Sequence, residues 1–354
     1  MIQQCAGLML SLVMVSSLMV GAAQAAPVGP ALERPAVLSA QAARSVLQAA
    51  AQAGSRLVAV GERGIVVLSD DQGKTWRQVP TPTSVGLTAV SFIDAQHGWI
   101  TGHGGVVLAS SDGGQTWRKQ LDGRKAAQLM LTSAQASGDE RAQADAERLV
   151  TEGADKPLLD VHFFDAQHGL VIGAYNLAFE THDGGQSWAP ISARLDNPKA
   201  LHLYSLRVRA DEIVIAGEQG LVLRSTDAGQ TFIRLALPYK GSFFGVALPG
   251  TTGIIVAGLR GNVLKSSDGG LSWSAVTNPV PASITAMAVD ARGQLWLANQ
   301  AGLVLKLQDT PQGPMALPTP AKLPPLTGLL PTSEDRALAL TLAGALPVTL
   351  AAPK

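Results

Sequence analysis

Ser110-Ser111-Asp112-Gly113-Gly114-Gln115-Thr116-Trp117 is the stretch that decides the fold, because the chain writes it five times. The other copies are Ser69-Asp70-Asp71-Gln72-Gly73-Lys74-Thr75-Trp76, Thr181-His182-Asp183-Gly184-Gly185-Gln186-Ser187-Trp188, Ser225-Thr226-Asp227-Ala228-Gly229-Gln230-Thr231-Phe232 and Ser266-Ser267-Asp268-Gly269-Gly270-Leu271-Ser272-Trp273. Each reads S/T-x-D-x-G-x-S/T-W/F. A carboxylate there can accept backbone N–H bonds inside a tight hairpin turn. The glycine permits positive φ, the hydroxyl ties the turn, and the aromatic ring can cover a seam between sheets. The structural set is therefore Asp71, Gly73 and Trp76; Asp112, Gly114 and Trp117; Asp183, Gly185 and Trp188; Asp227, Gly229 and Phe232; and Asp268, Gly270 and Trp273. A calcium loop fits poorly, because the twelfth position, Pro82 or Gly123, offers no bidentate glutamate.

A fixed ruler extends outward from each box. Ten residues before the aspartate stands Gly61, Gly102, Gly173, Gly217 or Gly258, and seven before it Gly64, Gly105, Asn176, Gly220 or Gly261. A short apolar run lies between the second glycine and the box, such as Val106-Val107-Leu108, and another precedes the first glycine, such as Ile254-Ile255-Val256-Ala257. A third run begins 25 residues or so ahead of the aspartate, at Val46, Leu87, Leu158, Leu203 and Phe243. The same ruler finds two degenerate copies, centred on Asp309 and Ala351, and the steps between box positions are then 41, 71, 44, 41, 41 and 42. Seven units of three strands plus a box hairpin predict an all-β chain, a seven-bladed β-propeller over 46–351. The ruler makes Val46 to Ala51 the first strand, although Ala40 to Ala53 taken alone reads as a helix. Ala36 to Leu38, within an N-terminal segment 26–45, is expected to supply a strand closing the ring against the last unit.

The long step is one repeat plus an insertion, residues 118–157. Arg124 to Ala136 and Asp139 to Glu152 are rich in alanine and charge, with Ala142, Ala146, Leu149 and Val150 on one helical face. A helical hairpin between blades two and three is expected. Both a binding loop and a solvated cover fit it.

The first strands should line the central channel. Their alternate positions are mostly small, as in Ala89 and Ser91, Gly245 and Ala247, and Ala286 and Ala288. Blades three and four differ: Asp160, His162 and Arg207 form a candidate polar cluster beside Ser205, read first as an ion pair in a wet channel. His97 and His168 share one register and are expected to serve turns, not a metal.

The bulk numbers exclude some functions. The 354 residues carry 27 basic and 27 acidic side chains, a balance that argues against a general nucleic-acid binder. Residues 1–25 read as a secretory signal: Leu8 to Val20 is apolar and Ala23-Gln24-Ala25 fits a cleavage site. Cys5 is the only cysteine, so the mature chain would hold no thiol, disulfide or Cys-ligated metal. No cofactor, metal site or later membrane span is expected, and a periplasmic or secreted monomer is.

The boxes resemble the bacterial-neuraminidase or Asp-box repeat. The longer unit Leu87 to Gly102, with its Asp-Ala-Gln-His-Gly core repeated at Asp165 to Gly169, resembles the photosystem II stability and assembly factor family. That resemblance covers about residues 46–350. It implies a seven-bladed propeller in the lumen or periplasm, whose photosynthetic members help assemble a membrane complex and whose relatives also occur in bacteria that do not photosynthesise. The expected function is thus an exported protein-binding or assembly factor acting with a membrane protein or envelope complex. The alternatives are a sialidase-like glycoside hydrolase and a carbohydrate-binding lectin. The chain offers only Tyr175, Tyr204 and Tyr239 as tyrosines and Asp160 as a channel carboxylate, which weighs against the hydrolase.

Overall fold

The computed structural model describes residues 29–278, 280–308, 314–316 and 323–349. The signal-like residues 1–25 and the degenerate boxes around Asp309 and Ala351 lie outside them. Each repeat folds as an antiparallel meander. Among the described residues there are seven such sheets, six of four strands and the last of three. Their first strands are Leu47–Ala53, Leu87–Phe92, Leu158–Phe163, Leu203–Arg209, Phe243–Ala247, Ile284–Val289 and Leu326–Pro331. Each first strand touches the next, and Leu326–Pro331 touches Leu47–Ala53, so the circuit is closed. The result is a β-propeller whose inner wall is made of first strands.

The second strands explain the apolar runs. Gly98–Gly102, Gly169–Gly173 and Ile254–Gly258 are buried at every position, because each lies inside a sheet covered on both faces by neighbouring sheets. The core is accordingly divided among the seams. One cluster joins Trp99 and Val107 of sheet two to Val161, Phe163 and Phe179 of sheet three, with Trp99 stacked on Phe163 at 3.5 Å between ring centroids.

The two glycines of the ruler serve different ends. Those at minus seven have positive φ, 73° at Gly64 and 74° at Gly220, and Asn176 takes the same conformation at 62°. Those at minus ten are extended (Gly61 has φ −168°) and are needed for space. A Cβ on Gly61 would lie 2.1 Å from the Val46 carbonyl oxygen, and one on Gly173 would lie 2.3 Å from that of Pro157.

Two rims follow from the meander. On one, a short 3-10 turn joins the second and third strands and donates a backbone N–H to the residue just before the first strand, as from Glu62 to Val46 and from Glu218 to His202. On the other lie the box and the turn between the first two strands, clasped by bonds such as Gly113 N–H to Gln96 and Gly184 N–H to Gln167.

The insertion is two helices, α1 (Gly123–Ser137) and α2 (Glu140–Glu152), on the 3-10 rim between sheets two and three. Asp122 caps α1 by accepting from the N–H groups of Arg124 and Lys125, Asp139 caps α2, and Gly138 turns the corner at φ 71°. Ala126, Leu129, Met130 and Leu149 pack down onto the seam between sheets two and three.

The N-terminal segment differs from expectation. Ala36 to Leu38 forms no strand, and the last sheet recruits none from it. Ala36 N–H bonds to the Thr81 carbonyl, while the Gln78 side chain accepts from Ser39 N–H and donates to the Val37 carbonyl. These residues therefore lie along the outer strand of sheet one. Closure instead comes from side chains and apolar packing between the first and last sheets, where Leu338 and Leu340 meet Leu57 and Val67.

Candidate functional site

The box hydrogen bonds repeat from copy to copy. In the second box Asp112 Oδ1 accepts from Thr116 N–H at 2.9 Å and Oδ2 accepts from the Thr116 hydroxyl at 2.6 Å. The Ser110 hydroxyl donates to Asp112 and accepts from Gly114 N–H. Asp71, Asp183, Asp227 and Asp268 make the corresponding bonds with Thr75, Ser187, Thr231 and Ser272. Hydroxyl and N–H donors favour the charged form, so Asp71, Asp183, Asp227 and Asp268 are each held at about 2. At Asp112 burial pushes upward, but the Thr116 and Ser110 donors outweigh it and the carboxyl is again lowered.

The box aromatics sit at the seams. Trp117 packs with Val58 and Leu68 of sheet one, and Trp188 with Trp99 of sheet two. Phe232 packs with Leu170 of sheet three, and Trp76 with Leu338 of the last sheet. Trp273 lies against the cluster of sheets four and five. Several boxes are also gripped by the preceding sheet. Arg56 donates to the Gly113 carbonyl, Gln120 to that of Gly184 and Arg194 to that of Gly229. A Cβ on Gly73 would meet Pro347 at 3.2 Å, and one on Gly270 would meet Leu235 at 2.5 Å, so glycine is also the residue that lets the sheets close.

The Asp-Ala-Gln-His-Gly cores form a second turn motif. Asp94 accepts from His97 N–H, the His97 ring and Gln96 N–H, and is held at about 2 by those bonds. Asp165 does the same with His168 and Gln167. No cluster of three or more His, Cys, Asp or Glu with metal-holding geometry occurs among the described residues.

The structure brings Asp160 and Arg207 together. Asp160 Oδ2 accepts from Arg207 Nη1 at 3.0 Å and from Leu206 N–H at 2.8 Å, while Oδ1 accepts from Val161 N–H at 2.9 Å. Arg207 also donates to its neighbour, the Leu206 carbonyl. The side chains are 15% and 44% exposed respectively, so the ion pair is half in water and its Coulomb worth is about 1 kcal/mol or less. His162 lies on the same inner strand as Asp160, its ring edge-on to Phe164 at 5.0 Å. Burial pushes its pKa below the usual 6.5; Asp160 opposes that shift and Arg207 reinforces it.

A feature that the repeat motif did not reveal lies on the 3-10 rim. The second residue of each first strand is Gln48, Thr88, Leu159, Tyr204, Phe244, Thr285 or Thr327. Three of these are threonines that stitch the ring. Thr88 donates to the Leu158 carbonyl at 2.6 Å, Thr285 to Leu326 at 2.7 Å, and Thr327 to Leu47. In sheets four and five the position is aromatic. Tyr204 lies edge-on to Phe244 at 5.3 Å and to His202 at 6.2 Å, and His202 lies edge-on to Tyr175 at 4.6 Å. Lys156, at the end of the hairpin, sits 5.1 Å from the centre of the Tyr175 ring.

Fold and turns together define a β-propeller built from box-bearing repeats with one helical insertion. A family profile described as "Photosynthesis system II assembly factor YCF48" matches residues 68–151 and 141–294, well over half of the chain, and the protein belongs to that family. Among curated relatives, the photosystem II assembly lipoprotein Ycf48 of Synechococcus sp. (strain CC9902) is 40% identical over 82 residues, 23% of this chain and 25% of that one. The Ycf48 lipoprotein of Trichormus variabilis is 33% identical over 73 residues, 20% of this chain and 19% of that one. The alignments thus span a quarter or less of these relatives' length. Among solved structures, "YCF48 bound to D1 peptide" superposes with a TM-score of 0.63 at 17% identity, covering 89% of this chain and 96% of the other. Virginiamycin B lyase from Staphylococcus aureus superposes with a TM-score of 0.68 at 10% identity, covering 90% and 99%. At such identities the superpositions speak for the fold alone.

Proposed function

We propose that this protein is an exported, non-enzymatic binding propeller that assists or associates with a membrane protein complex. The observation that carries the reading is family membership. It is supported by the likeness in fold to a YCF48 chain described as bound to a D1 peptide. In this reading the seven sheets are seven blades, and the five boxes are structural clips distributed around one rim, leaving the opposite rim with its helical hairpin for partners. The apolar N-terminal run and the named lipoprotein relatives support export to the periplasm or cell exterior. No helix among the described residues is long and apolar enough to cross a membrane.

The bonding of Asp160 favours binding over glycoside hydrolysis. Both of its oxygens accept backbone N–H bonds, and one also holds Arg207, so it is committed to joining sheets three and four. Crosslinking of the mature protein in its own envelope, followed by identification of the captured chains, tests the proposal. Recovery of one or a few membrane proteins is expected. Capture of none, or turnover of chromogenic glycosides lost on Asp160→Asn, overturns it.

A further inference from the structure

We infer that the aromatic row Tyr175–His202–Tyr204–Phe244 is a docking strip for an extended, non-acidic, proline-containing peptide segment of a partner protein. The inference rests on the binding reading above and names the surface and the chemistry.

The first ground is a break in the repeat. Where the ring closes by threonine stitches, the position is small and polar; where Tyr204 and Phe244 replace it, the neighbouring carbonyls are traded for two half-buried rings at the channel mouth. Of the seven positions, three are threonine, two are Gln48 and Leu159, and only these two neighbouring sheets place aromatic rings there. His202 and Tyr175 continue the row outward, to the foot of the helical hairpin. Tyr175 is 52% exposed, and its left-handed φ of 55° is the one that Arg63, Gln219 and Arg260 take at the same point of their own turns, so the turn holds the ring outward by the geometry of the repeat.

Charge selects the class of ligand. The charges beside the row sum to negative: Lys156 is shared by Glu152 and Asp155, and Glu218 accepts the N–H of His202. An acidic peptide is therefore disfavoured here. The His202 ring uses Nδ1 to accept Tyr175 N–H, which leaves Nε2–H to donate outward. The row thus offers aromatic faces edged by donors. A polyproline II chain complements that pattern, since it presents apolar rings and carbonyls without competing N–H groups.

Geometry separates a peptide from a sugar. Successive rings meet at 70°, 83° and 67°, so they make a corrugated strip and not the flat platform on which a sugar ring stacks. The steps of 4.6, 6.2 and 5.3 Å compare with about 6 Å for two residues of polyproline II.

The test is fluorescence anisotropy of the full chain with a dye-labelled Ala-Pro-Pro-Leu-Pro-Pro-Leu-Pro peptide. Tyr204→Thr and Phe244→Thr are the variants of choice, because threonine is what three other sheets carry there and both should fold with an unchanged urea midpoint. Saturable binding by the parent protein is expected, weakened more than about tenfold in each variant. The inference is overturned by absence of saturable binding up to about 1 mM peptide, by equal binding in the variants, or by a labelled N-acetylglucosamine oligomer binding the row in the peptide's place. Loss of peptide binding with envelope crosslinks intact removes this inference alone. Peptide binding with no envelope partner removes the assembly reading and leaves the strip standing.

Discussion

Thr327 donates its hydroxyl to the carbonyl of Leu47, a residue 280 positions away in the chain. Thr88 and Thr285 make the same bond between sheets that are neighbours in sequence. Closure of the ring is therefore one more copy of an internal joint. Thr327→Val keeps the shape and removes the donor, leaving a carbonyl short of a partner. It should cost about 1–2 kcal/mol. Thr88→Val should cost a similar amount, and urea unfolding of both variants checks the equivalence.

Gly173 and Gly138 separate two reasons for glycine. Gly173 is extended, but its Cβ site is 2.3 Å from a backbone oxygen; Gly138 has φ +71° and open space around it. Gly173→Ala should cost about 3 kcal/mol or more, because backbone must move. Gly138→Ala should cost about 1 kcal/mol of left-handed strain. Thermal unfolding should rank them in that order.

Acid should loosen the box turns together. Asp71, Asp183, Asp227 and Asp268 titrate at about 2 in the folded chain, below the unfolded value of about 3.9. A depressed folded pKa gives stability that is present above the unfolded value and lost as pH falls through the folded one. The urea midpoint should therefore fall steeply between about pH 4 and pH 2. Asp227→Asn should flatten that slope, and a slope unchanged in the variant would remove the box from the explanation.

His162 should titrate below 6.5, because burial disfavours its charged form. Folding then favours the neutral ring, and stability should decline as pH falls from about 6.5 toward the folded value. Asp160→Asn removes the one group that pulls the pKa up, so the imidazole should titrate lower still. Proton resonances followed against pH measure both.

Much of this architecture is legible in the sequence because one turn chemistry is repeated at fixed spacing. The aspartate, the glycine of positive φ and the ring that follows state their own geometry locally. The hairpin is legible as well, through two alanine-rich, charged runs and the apolar face of the second. What was not legible depends on closure. Tyr175, His202, Tyr204 and Phe244 come from three different repeats and meet only when the sheets are wound into a ring. Aligning the second residue of every first strand would have set Tyr204 and Phe244 apart as the two aromatics among three threonines, Gln48 and Leu159. The ring-closing strand expected at Ala36 to Leu38 failed because an unpaired apolar segment does not declare which edge it will cover. The edge of sheet one, with the Gln78 amide and the Thr81 carbonyl, offered it partners.

The foot of the hairpin has a practical consequence. A Cβ on Gly123 would lie 2.8 Å from the Ala154 Cα, so the chain leaves the sheet and comes back through points that touch. Such a doorway admits any module whose own two ends lie side by side. A fluorescent or affinity domain joined at the far turn, Gly138, would ride on this narrow stalk, leave the helices packed on their seam, and stand as a sensor at the rim proposed for partners.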